Sequence, residues 1–240
     1  QHLKKAPTDP DTEHLEASED AAALVERHLR ATQGDECDRV RRLRMAIRLL
    51  RRSRGEPFEP GEDLTELVEG FVSDGAWVDA AREAIGHGET VSSLADAYAT
   101  LIKRINPERE ERDRAFAAAF ASWSEVEPTD TSRLLPVERV LEEVVAPVAR
   151  RAPVLLLVLD GLSYPESIRL FGDLRNAGWR EQGPGGRRLP TVLSAVPSVT
   201  AVSRASLLTG QLADGGQDIE RSGFQGHAKL VDAAGGRAPR

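Results

Sequence analysis

Cysteine is almost absent from this 240-residue chain: Cys37 stands alone, so no internal disulfide can form, and a reducing, cytoplasmic setting is the expectation. Long apolar runs are missing as well. The longest aliphatic one, VLLLVL at 154–159, falls far short of the ~18 residues needed to cross a bilayer, so no membrane partner is expected. No basic-then-apolar leader opens the sequence. Lysine is scarce: Lys4, Lys5, Lys103 and Lys229 are the only four among 32 basic residues, which leaves 28 arginines. With the heavy use of alanine, that bias reads as GC-rich coding rather than as an adaptation to a partner. Methionine occurs once, at Met45, and the chain opens on Gln1 and closes on DAAGGRAPR, so it is expected to be a piece of something longer.

The formal charge of -7 argues against nonspecific nucleic-acid binding by the chain as a whole while leaving room for local basic faces. An apolar fraction of 40% and a charged fraction of 30% allow one large or two modest globular domains.

The first half reads as successive helices. Residues 21–32 place Leu24, Val25, His28 and Leu29 on one face, and 35–54 repeat Val40, Leu43, Ile47 and Leu50 at amphipathic spacing. Pro57, Pro60 and Gly61 break the pattern. Helices are expected at 63–73 and 76–85, and another at 90–105, ended by Asn106-Pro107. Pro107 then opens one over 108–126, and a polar turn at 128–133 leads to a last helix at 134–150. The arginines of the second helix (Arg39, Arg41, Arg42, Arg44, Arg48, Arg51, Arg52 and Arg54) could meet an acidic partner, but a solvated face with intramolecular partners explains them better. Trp77, Trp123 and Trp179 are scattered and expected in cores or at their edges.

At Pro153 the texture changes. The run 154–159 suits a central parallel strand buried on both faces. A helix over 165–177, a turn at Gly183-Pro184-Gly185-Gly186, a second strand within 189–196 and a helix over 202–208 follow. The expected fold class is therefore α/β, a multi-helix region over 1–150 followed by part of an α/β domain over 151–240.

Two places carry chemistry. Asp160 closes the apolar run and is followed by Gly161, which lets the backbone turn sharply. A carboxylate at the carboxyl end of a strand is placed to ligate a cation, or else to cap the next helix. The second place is PSVTAVSRASLLTG at 197–210. A hydroxyl at a helix mouth can hold a phosphate against free N–H groups, and a cation beside it would ease its ionisation, making Thr200 a candidate nucleophile. On residue physics alone a plain cap at Ser198, Thr200 or Ser203 is the stronger reading. Arg204 can either neutralise a phosphate oxygen or sit solvated. The Gly-rich turn is no nucleotide loop, because no Gly-Lys-Ser/Thr follows it.

VLLLVLDGLSYPES at 154–167 together with LPTVLSAVPSVTAVSRASLLTGQ at 189–211 resembles the PglZ proteins, alkaline-phosphatase superfamily members of the BREX or phage growth limitation systems. The resemblance covers about residues 150–232. It implies that Asp160 ligates a metal and that Thr200 is both ligand and nucleophile. It also implies a two-metal site, most simply of zinc, that attacks phosphorus through a phosphothreonine and releases it with metal-activated water. Thr200-Ala201-Val202-Ser203-Arg204 also aligns with the sulfatase pattern Cys-x-Pro-Ser-Arg. There threonine replaces the cysteine that becomes formylglycine, which points from sulfate towards phosphate esters.

The substrate implied is a phosphate ester, with nucleic acid or a nucleotide among the options, and the partners are other components of the same antiviral system. The rival reading is a catalytically inactive, phosphatase-like assembly subunit. The superfamily's remaining Asp and His ligands lie later than this chain extends. Asp214, Asp218, His227 and Asp232 fall in a turn-rich stretch that makes no recognisable ligand set, and His227 reads as a loop histidine. The 240-residue piece alone is therefore expected neither to hold two metals tightly nor to turn over substrate.

Overall fold

A computed structural model describes residues 10–27, 34–55, 63–125, 131–183 and 189–239. His28 and Leu29, the breakers Pro57, Pro60 and Gly61, residues 128–130 of the expected turn, and Pro184-Gly185-Gly186 lie outside the described residues. The chain divides into two compact units, Gln1–Ser124 and Glu125–Arg240. The boundary falls ahead of the expected one at 150. Residues 134–149, expected as the last helix of the first region, instead make the pairing and core contacts of the second unit.

Every regular element among the first unit's described residues is a helix. Helix α1 (Pro10–Glu26) begins earlier than expected. It buries Leu15 and Ala22, two turns apart, whereas Leu24 and Val25 are exposed. Helix α2 (Gly34–Arg52) forms as expected, but of the anticipated seam Val40, Leu43, Ile47 and Leu50 only Leu50 packs against the core, beside the buried Ala46 and Leu49. Its Ala46 and Leu49 meet Ala81 and Ile85 of α4 (Ala76–Gly86), and Tyr98, Leu101 and Ile105 of α5 (Ser92–Ser124). Between α2 and α4 lie α3 (Leu64–Gly70), capped by the Asp63 carboxylate, and a single π-helical stretch, Phe71–Gly75.

The expected break at Asn106-Pro107 is absent, and α5 runs through Pro107. A proline inside a helix removes one hydrogen bond and costs about 3 kcal/mol. Bonds made on either side of it offset that cost. Ile105 is in the core, Asn106 accepts from Arg82, and Glu108 accepts from Arg52 and Arg112, both of which also donate to Asp74. The α2 arginines are spent in the same way. Arg39 and Arg42 pair with Glu89, Arg51 with Glu19, and Arg48 lies 4.2 Å over the Trp77 ring.

The second unit holds a two-stranded parallel sheet, β1 (Leu134–Pro136) against β2 (Thr191–Leu193), in the register Leu134 to Thr191. Strand β1 lies where a helix was expected. A 3-10 turn, Val137–Arg139, a π-helical stretch, Leu141–Val145, and α6 (Ala146–Ala149) follow it. The second strand was foreseen, as were α7 (Tyr164–Asn176) and α8 (Thr200–Thr209). The stretch expected to be turns is instead two short helices, α9 (Gln217–Gly226) and α10 (Ala228–Ala233). A small core joins Leu141, Ala146 and Leu230, with Val145, Leu156, Phe224 and Ala233 packed against it.

The central strand expected at 154–159 is not realised as one. The segment has no regular secondary structure and joins no ladder among the described residues. Leu156 turns inward to the small core, while Leu155, Leu157 and Leu159 are 82%, 71% and 56% exposed. A strand buried on both faces needs paired edges and a layer on each side, and the two short strands present supply neither. Trp179, expected in a core or at its edge, is likewise exposed at 70%. The α/β character thus survives as helices with one small parallel sheet.

Candidate active site

The site is built where the exposed apolar segment ends. Asp160-Gly161 forms a turn, Gly161 adopting φ 74°, a left-handed conformation that residues with a Cβ rarely take. The chain then enters α7, whose cap is Ser163, its hydroxyl accepting from the Glu166 N–H at 3.4 Å. Asp160 is therefore not the cap of the following helix, and its carboxylate is free for other partners.

Those partners come from α8, forty residues on. Val199 holds the cap position of α8 and offers no side-chain hydrogen bond. The cap readings for Thr200 and Ser203 thus give way. Ser203 donates to the Ala195 carbonyl at 3.3 Å, and Thr200, the first helical residue, donates its hydroxyl to Asp160 Oδ1 at 3.3 Å. Arg204, one turn later on the same face, donates from Nη1 to Asp160 Oδ2 at 3.0 Å. The three residues singled out from sequence meet at one point. The first N–H groups of α8 have no intrahelical acceptor and no capping side chain, so this end of the helix is electropositive.

A fourth residue completes the cluster. Glu220, in the first turn of α9 and 6% exposed, accepts from Arg204 Nε at 2.9 Å. The hydrogen bond that Arg204 donates to Glu220, opposed by burial and reinforced by the charges of Glu220 and Asp160, raises the Arg204 pKa and keeps the guanidinium protonated. No sequence spacing ties Glu220 to Arg204, since the link runs through helix packing. Gly223 lies one turn beyond Glu220, and a Cβ there would come within 2.6 Å of Thr209 Cγ2, so only glycine lets α9 approach α8 this closely. The buried Ser206 hydroxyl donates to the Ala213 carbonyl and accepts from its N–H, fixing the intervening loop on α8, and the Gly215 N–H reaches the Ala201 carbonyl at 3.0 Å.

His227 is not at this cluster. It packs on Gly210 at the opposite end of α8, about 15 Å from Thr200 at 1.5 Å rise per residue. Burial lowers its pKa. Asp232 pairs with Arg150 at 3.2 Å. Among the described residues no group of three or more His, Cys, Asp or Glu side chains is placed to hold a metal ion. Asp160 Oδ1 and Thr200 Oγ1 are two neighbouring oxygen donors, whereas a zinc site takes four, and Asp160 Oδ2 is already engaged by a guanidinium. The residues present suit a cation in charge, because two carboxylates and one guanidinium leave a net negative charge, but not in number of donors.

Comparison with known protein families, with curated proteins and with solved structures finds no match to this chain. No helix among the described residues is long and apolar enough to cross a membrane.

Proposed function

We propose that the Asp160–Thr200–Arg204 cluster is the nucleophile half of a metal-dependent phosphoesterase, resembling PglZ and serving in antiviral defence. One observation carries the reading. The Thr200 hydroxyl, which has an easy alternative as a helix cap, donates instead to a carboxylate forty residues away, at an open helix N-terminus and beside a guanidinium. A phosphate ester in front of α8 accepts hydrogen bonds from the free first-turn N–H groups and from Arg204. Thr200 Oγ1 attacks phosphorus as its proton passes to Asp160 Oδ1, the acceptor it already faces at 3.3 Å. The bond from phosphorus to the ester oxygen breaks, the departing alkoxide takes a proton from solvent, and a phosphothreonine remains for water to hydrolyse.

A divalent cation, bound by Asp160 and Thr200 with further donors from outside the described residues, would neutralise the charge that otherwise repels an anionic substrate. The rival, a binding subunit without turnover, draws support from the short donor set and from the ion pair that engages Asp160.

The deciding measurement is hydrolysis of bis(p-nitrophenyl) phosphate by the full-length protein with zinc, manganese or magnesium, wild type beside Thr200→Ala. The expected loss in kcat/KM is about a thousandfold or more, with Asp160→Asn losing about a hundredfold or more. Equal rates for wild type and Thr200→Ala overturn the phosphoesterase reading and favour the binding subunit.

A further inference from the structure

We infer that Glu220 is the positioning residue of this site: by fixing Arg204 through Nε, it keeps the terminal N–H groups of the guanidinium available for an oxyanion bound at Thr200. The inference rests on reading Asp160, Thr200 and Arg204 as a phosphate-handling cluster. An arginine carries five N–H donors in a rigid fork. Here Nε is committed to Glu220 and one Nη1 hydrogen to Asp160, and the remaining three have no partner among the described residues.

Burial separates the two acceptors. The Glu220 side chain is 8% exposed and that of Asp160 is 40% exposed. The Asp160 end of the clamp is therefore screened by water and readily exchanged for a substrate oxygen, while the Glu220 end is shielded and persistent. Glu220 also has the simplest reason to be buried. A carboxylate out of water needs a charged partner, and Arg204 is the one the structure gives it. The fold holds the pair from both sides, by the close α8–α9 approach at Gly223 and by the loop fixed to Ser206. When an oxyanion arrives, Arg204 thus pivots about a fixed Nε rather than searching rotamers, which reduces the entropy lost on binding.

The test follows the Arg204 side chain directly. In the 240-residue chain labelled with 15N-arginine, with excess magnesium present to offset the two carboxylates, the Arg204 Nε–H resonance, assigned by its loss in Arg204→Lys, should be protected from solvent exchange and should move on titration with inorganic phosphate. Glu220→Ala should abolish that protection and weaken phosphate binding about tenfold, the scale of a charge-assisted hydrogen bond. Glu220→Gln, which keeps an oxygen acceptor and guards against a variant that fails to fold, should retain most of both. In the Arg204→Lys background Glu220→Ala should add little, because the interaction it removes is already gone. A folded Glu220→Ala with protected Nε–H and wild-type phosphate affinity overturns the role of Glu220 alone. Absence of phosphate binding by wild type overturns that role together with the reading beneath it, whereas retained binding with Thr200→Ala hydrolysing at the wild-type rate strikes at the phosphoesterase reading only.

Discussion

The two units answer the same demand, covering apolar surface, with different success. In the first, apolar seams on α2, α4 and α5 face one another, and the arginines beside them end on carboxylates of neighbouring helices or, for Arg39, of the loop between α4 and α5. In the second, the buried apolar residues are few (Leu141, Ala146 and Leu230 in one cluster, with Leu134, Leu135, Leu193, Ala195 and Ala205 elsewhere), while Leu155, Leu157, Phe171, Trp179 and Leu212 are each more than half exposed, and α7 buries no residue at all. A helical unit can close its core with local contacts, because each helix satisfies its own backbone and needs cover on one stripe only. A parallel sheet cannot. Each of its strands needs neighbours on both edges and layers on both faces, so a small number of strands leaves most of the apolar surface uncovered.

The contrast is broken or sharpened first at Leu49, fully buried at the centre of the helical core. Leu49→Ala should cost about 2–5 kcal/mol, the transfer loss plus an unfilled cavity, seen as a lower urea midpoint by far-UV circular dichroism. A cost below about 1 kcal/mol would mean that this core is as loose as the one in the second unit.

Next in size is Glu89, whose side chain is 2% exposed and accepts from Arg39 and from the N–H groups of Thr90 and Val91. Burial alone would raise its pKa, but these hydrogen bonds lower it from 4.5 to about 2. Because the folded value is depressed, its stabilisation is fully present above pH 4.5 and is lost as pH falls towards about 2. Glu89→Gln should therefore destabilise the helical unit by about 1–3 kcal/mol near neutrality. The gap from wild type should shrink steadily below pH 4.5. A gap that stays constant down to pH 2.5 would assign the loss to packing rather than to charge.

What was legible in the sequence follows from how local each determinant is. Helices α2, α7 and α8 and strand β2 all rest on spacings within one element, and those elements were read correctly, whereas their caps were not: Ser163 and Val199 hold the cap positions of α7 and α8 rather than Asp160 or a hydroxyl of the 198–203 stretch. The meeting of Asp160, Thr200 and Arg204 was legible only through two motifs taken in order, since nothing local to either brings them together. Glu220 was not legible at all. Its partner lies sixteen residues away across a helix crossing, and the glycine that permits the crossing reads in sequence as a turn former. Pro107 misled for a related reason: its local rule ends helices, and the ion pairs that overrule it come from α2 and from the π-helical stretch ahead of α4. The run at 154–159 misled in the opposite direction, because its composition asks for a sheet interior that the described residues do not build.

The smallest expected effect is the most diagnostic of the contrast. Leu157 is 71% exposed, three residues before Asp160. A leucine that is not removed from water on folding contributes no transfer free energy to the native state. Leu157→Ser should therefore change the urea midpoint by no more than about 0.5 kcal/mol equivalent, the range of ordinary surface substitutions. The same change should reduce binding of the dye ANS, because it removes exposed apolar surface close in sequence to that of Leu155 and Leu159. A loss comparable to that of Leu49→Ala would mean that Leu157 is covered in solution. The segment leading to Asp160 would then be a paired strand after all, and the carboxylate that faces Thr200 would be held by a sheet rather than by the turn at Gly161 alone.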